Sequence, residues 1–105
     1  MYKQISATEA AILHNEDQAV LLDVREDSEL TICKLDNALH IPMGEIPERH
    51  SMLPKDKPVI VFCHHGGRSS NVQQFLVSIG FDNVINMKGG IHAWSSDVDP
   101  GMAQY

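Results

Sequence analysis

The sequence predicts an α/β fold: a small, mostly parallel open sheet flanked by helices on both faces. Three observations lead there. Short apolar runs of strand length recur at Ala19–Val24, Ala38–Ile41, Val59–Phe62 and Val84–Met87, the kind of run that a strand buried on both faces requires. Between them lie segments with helical start signals or helical spacing, joined by short loops, the pattern of strand–helix units feeding a parallel sheet. The chain is 105 residues long, which suits one domain over residues 1–105 with a core burying roughly two-thirds of the unfolded chain's surface.

Each element has a local cause. Tyr2–Ile5 is short and suits an edge strand. Ser6-Ala7-Thr8-Glu9 matches a capping box, in which the serine hydroxyl and the glutamate carboxylate satisfy each other's backbone N–H groups, so a helix should run to about His14. Glu26, Asp27 and Glu29 favour the N-terminus of a short helix within Glu26–Cys33. Pro42 stops the third strand, and Glu45–Leu53 tolerates Pro47 in its first turn. Val72, Phe75, Leu76 and Ile79 describe one helical face, with Ser69 or Ser70 as its cap and Gly80 at its C-terminus. Gly89-Gly90 turns the chain into a last helix bearing Ala93 and Trp94. From about Ser95 the sequence becomes polar and is expected to fray.

Composition narrows the function. The apolar fraction is 43% and the charged fraction 21%, values of an ordinary globule. Fourteen acidic residues against eight basic ones leave a formal charge of −6, which argues against nucleic acid or an anionic membrane as partner. No apolar run is long enough to span a bilayer, and the start of the chain carries no signal-peptide pattern, so a cytoplasmic location is the default. The two cysteines, Cys33 and Cys63, form no Cys-x-x-Cys pair.

The chain is organised around Val59–Ser70, where a buried strand runs into Cys63-His64-His65-Gly66-Gly67-Arg68-Ser69 and then into a helix. Glycines at such a bend leave backbone N–H groups free to face inward, which makes an anion cradle. Cys63 stands at its first position, and the economical reading is a thiolate ringed by donors from His64 to Ser69. Those donors, the following helix N-terminus and Arg68 should all favour the anion. Asp23–Arg25, Cys63–Arg68 and Met87–Gly90 all lie at the carboxyl ends of strands, where open α/β sheets place their ligand crevice.

Four segments then carry a resemblance: Leu21-Leu22-Asp23-Val24-Arg25-Glu26, His40-Ile41-Pro42, Cys63-His64-His65-Gly66-Gly67-Arg68-Ser69 and Gly89-Gly90-Ile91-His92-Ala93-Trp94. Their order and spacing are similar to those of the rhodanese domain from about Ile5 to Trp94. The resemblance implies a sulfurtransferase in which Cys63 takes sulfane sulfur from a small anionic donor such as thiosulfate. It would hold that sulfur as a persulfide and pass it to a thiol or cyanide acceptor, or to a sulfur-carrier protein. Arg68 is the charged stabiliser in this reading. Asp23 and Arg25 brace the crevice as a buried ion pair, and Lys88 either recruits the anion or is simply solvated. Cys33-Lys34 stand where the family often has Gly-His, a departure outside the loop.

Two rival readings remain. Cysteine phosphatases and arsenate reductases use a related cradle one residue longer; here four residues separate Cys63 from Arg68, a ring that suits one sulfur atom and crowds phosphate. A docking module that merely presents a persulfide is the other. Cys63 could also be an inert strand-end cysteine, though two glycines and an arginine argue against it. Adjacent histidines are expected to point apart, and no His/Cys grouping has zinc-ligand spacing, so neither a metal nor a cofactor beyond the covalent persulfide is expected.

Overall fold

The computed structural model describes residues 2–105. Five strands form one sheet in the order β1-β5-β4-β2-β3, with every neighbouring pair parallel. They are β1 (Lys3–Ile5), β2 (Val20–Asp23), β3 (Leu39–His40), β4 (Val59–Phe62) and β5 (Val84–Met87). The helices are α1 (Ala7–Asn15), α2 (Asp27–Leu30), α3 (Ile46–Arg49), α4 (Gly67–Ser78) and α5 (Gly90–Asp97), with 3₁₀ turns flanking α3 on both sides. Among the described residues, no helix is long and apolar enough to cross a membrane.

Side-chain alternation divides the core into two layers. Leu21, Ile60, Phe62, Ile85 and Met87 face Ala7, Ala10 and Ala11 of α1 and Ile91 and Trp94 of α5. Leu22, Val59, Val61 and Val84 face Ile46 of α3 and Val72 and Leu76 of α4. β4 is central and fully buried, and burying each of its large side chains stabilises the fold by roughly 1.5–3 kcal/mol. The strand is thus a rigid base, and the residue after it, Cys63, is delivered to the carboxyl edge of the sheet.

The local signals hold where they are chemically specific. Ser6 and Glu9 form the capping box, with Ser6 Oγ accepting from the Glu9 N–H at 3.1 Å. Helix α4 ends in a Schellman motif: the Gly80 N–H bonds Val77 O, the Phe81 N–H bonds Leu76 O, and Gly80 takes φ +107°.

Three expectations need correction. Helix α4 begins at Gly67 with Gly66 as N-cap, so neither Ser69 nor Ser70 caps it. Ile79 lies past the helix end and is exposed, because the chain has already turned away from the sheet there. The tail does not fray from Ser95. Helix α5 continues to Asp97 with Ser95 buried, and Tyr105 packs back over the carboxyl edge of the sheet.

Candidate active site

Cys63 is 1% exposed and packs among apolar residues of the α4 layer, yet its sulfur is surrounded by donors. The Gly66 N–H donates to Sγ at 3.0 Å, and Ser69 Oγ lies 3.4 Å from it. Gly66 adopts φ +122°, a conformation open to glycine at little cost; it bends the loop so sharply that successive amides turn inward. Burial pushes the thiol pKa up. Hydrogen bonds from the Ser69 hydroxyl and from the Ser69, Gly66 and His65 amides outweigh it and bring the pKa below the ordinary cysteine value.

An N-cap side chain ordinarily accepts from the N2 or N3 amide. Gly66, the N-cap of α4, has no side chain to do so, and its own N–H is spent on Sγ. Ser69 is itself fixed by Asn86 of β5, whose Oδ1 lies 2.6 Å from the Ser69 oxygen and competes with Sγ for its single hydroxyl proton.

From the opposite side, α5 docks onto the loop backbone. The Ile91 N–H donates to Cys63 O at 2.8 Å and the His92 N–H to His64 O at 3.1 Å. Gly90 makes this approach feasible: a Cβ there would overlap the Cys63 and His64 carbonyls.

Arg68 sits differently from the sequence expectation. Its guanidinium is held bidentately by Glu29, Nη1 to Oε2 at 2.7 Å and Nη2 to Oε1 at 2.8 Å, with the two side chains 32% and 17% exposed. Arg68 holds the Glu29 carboxyl at a pKa of about 2, burial opposing it. Glu29 and the nearby Cys63 thiolate in turn favour the Arg68 cation. The positive charge is therefore shared between the cradle and a carboxylate that sequence reading placed only as a helix-start acid.

Asp23 and Arg25 form a buried ion pair, Nη2 to Oδ2 at 2.8 Å. Burial would lower the Arg25 pKa, but bonds to Asp23 and Tyr105 more than reverse this. The Tyr105 hydroxyl accepts from Arg25 Nη1 at 3.0 Å and donates to Glu29 Oε1 at 2.8 Å, linking the two ion pairs into one chain of bonds. Lys88 lies at the end of β5, where its N–H bonds Ile5 O at 2.8 Å. Its exposed side chain makes no hydrogen bond or ion pair among the described residues.

His64 and His65 do not point apart. Their ring centres lie 3.9 Å apart, and Tyr105 stacks on His64 at 3.7 Å with 5° between planes. His92 of α5 completes a trio. Gly67 opens α4, and its Cβ position faces open space.

Residues 6–97 match the family model described as the Rhodanese-like domain. The chain belongs to the rhodanese-like family. It is similar to the thiosulfate sulfurtransferase GlpE of Coxiella burnetii, 40% identical over 91% of this chain and 90% of that protein. It is also similar to a sulfurtransferase of Allochromatium vinosum, 36% identical over 79% of this chain and 78% of the other. Among solved structures, a rhodanese-related protein of Thermoplasma volcanium superposes with a TM-score of 0.81 at 35% identity, covering 92% of this chain and 94% of that one. In this rhodanese-like chain, sequence reading singled out Cys63 and its loop from a local motif. It missed Glu29, Asn86, His92 and Tyr105 as partners of that loop.

Proposed function

We propose that this protein is a sulfurtransferase that moves sulfane sulfur from a small anionic donor such as thiosulfate to a thiophilic acceptor through a persulfide on Cys63. The observation that carries this reading is a sulfur atom buried in hydrocarbon yet bonded by the Gly66 N–H, with its acidity raised against the pull of burial. Only the thiolate attacks sulfur effectively.

The Cys63 thiolate attacks the outer sulfur of thiosulfate. A sulfur–sulfur bond forms to Cys63, the donor's own sulfur–sulfur bond breaks, and sulfite leaves with the electron pair. The persulfide's terminal sulfur then carries the negative charge, and the His65, Gly66 and Ser69 amides with the Ser69 hydroxyl stabilise it. Cyanide or a thiolate attacks that terminal sulfur, takes it away, and returns the Cys63 thiolate. Two half-reactions with a covalent intermediate predict ping-pong kinetics. The similarity to a thiosulfate sulfurtransferase supports the same donor chemistry.

The test is intact mass after incubation with thiosulfate. The chain should gain one sulfur atom, cyanide should remove it as thiocyanate, and Cys63→Ser should neither gain mass nor turn over. Absence of the added sulfur, or hydrolysis of an aryl phosphate in its place, would overturn the reading.

A further inference from the structure

We propose that His64, His65 and His92 form a binding site for a divalent d-block cation of the Zn²⁺ type at the rim of the Cys63 loop. One ring nitrogen from each lies within 4.8 Å of the others. Three neutral imidazoles are a donor set suited to Zn²⁺, Cu²⁺ or Ni²⁺, and three protein ligands leave a position open for water or a small anion.

The trio stands on a rigid support. His64 and His65 follow the central strand β4, and His92 lies in the first turns of α5, whose N–H groups are tied to the Cys63 and His64 carbonyls. The ring of His64 is clamped between His65 and Tyr105. Its Nε2 is buried and has no hydrogen-bond partner, an unspent polar atom that needs a partner at this position.

A tetrahedral site with metal–nitrogen bonds of about 2.0–2.1 Å needs nitrogens about 3.3–3.4 Å apart. The trio must therefore contract from its outer spacing of 4.8 Å. His65 and His92 are exposed and can close that gap by side-chain rotation while Tyr105 stays stacked on His64. Sequence spacing concealed the site, because two ligands are adjacent and the third comes from another helix.

Binding is read directly, without sulfur transfer. Calorimetric titration of the reduced protein with Zn²⁺ at neutral pH should show one ion per chain. His92→Ala and His65→Ala, both exposed positions, should each weaken binding at least about tenfold, while His14→Ala on α1 should leave it unchanged. With Co²⁺ in place of Zn²⁺, visible bands of a four- or five-coordinate ion should appear without a sulfur-to-cobalt charge-transfer band. Circular dichroism of each variant checks that it remains folded. The proposal is overturned by absence of stoichiometric binding, by binding that survives His92→Ala, or by a charge-transfer band that Cys63→Ser abolishes.

Discussion

At the scale of single residues, the decisive competition is between burial and hydrogen bonding at one sulfur atom. Cys63 is as inaccessible as a core leucine, and without its donors it would be a poor nucleophile. Ser69 contributes twice, through its amide and its hydroxyl. Ser69→Ala keeps the amide and removes the hydroxyl that Cys63 Sγ and Asn86 Oδ1 share. The Cys63 pKa should rise, and sulfur transfer at neutral pH should slow about tenfold, since a hydrogen bond to a charged group contributes about 1.5–3 kcal/mol. The rate of alkylation by iodoacetamide against pH measures the first effect and thiocyanate formation the second; an unshifted alkylation profile would remove Ser69 from this role. The residues legible in the sequence are those whose partners lie within the same short loop, as Gly66 does with Cys63. Glu29 and Arg68 are 39 positions apart, and Tyr105 and Glu29 are 76 apart, so no local pattern announces either contact.

At the scale of elements, the site is a junction between the end of β4 and the first turns of two helices. The loop before α4 and the first turn of α4 supply the cradle amides, and α5 pins the loop from the other side through the Cys63 and His64 carbonyls. Sequence reading placed both helices because β-type runs and helical spacing are properties of contiguous residues. It misplaced the start of α4 because serine is the usual capping acceptor, and here a glycine at φ +122° with no capping side chain stands at the N-cap. Gly90 tests the junction. It has φ +61°, and a side chain there would meet the Cys63 and His64 carbonyls. Gly90→Ala should lower stability by about 1–3 kcal/mol, seen as a lower denaturant midpoint. It should also slow persulfide formation, because α5 can retreat only by releasing the loop. A variant with wild-type stability would show that α5 does not clamp the loop.

At the scale of the whole molecule, an acidic protein has placed two of its eight basic residues, Arg25 and Arg68, beside the Cys63 loop. Arg25 and Arg68 are each matched by a carboxylate, and Tyr105 joins the two pairs across the mouth of the site. The parallel sheet with helices on both faces was legible because it follows from the order of elements. The fate of the tail was not, since a polar composition describes a fraying segment and a returning strap equally well. The network makes stability depend on acidity in a definite direction. Arg68 and the Glu26 and Tyr105 donors depress the folded-state pKa of Glu29 from 4.5 to about 2. A depressed carboxylate contributes stability in full above its unfolded value, and that contribution is lost as pH falls through the window from about 4.5 to about 2. Glu29→Gln should therefore be less stable than the wild type by about 1–2 kcal/mol near neutral pH, and the difference should close as the solution is acidified across that window. Paired denaturant titrations from neutrality to pH about 2 measure it. A difference that is absent at neutrality, or that persists unchanged in acid, would mean that the Arg68–Glu29–Tyr105 chain does not hold the tail and the cradle together.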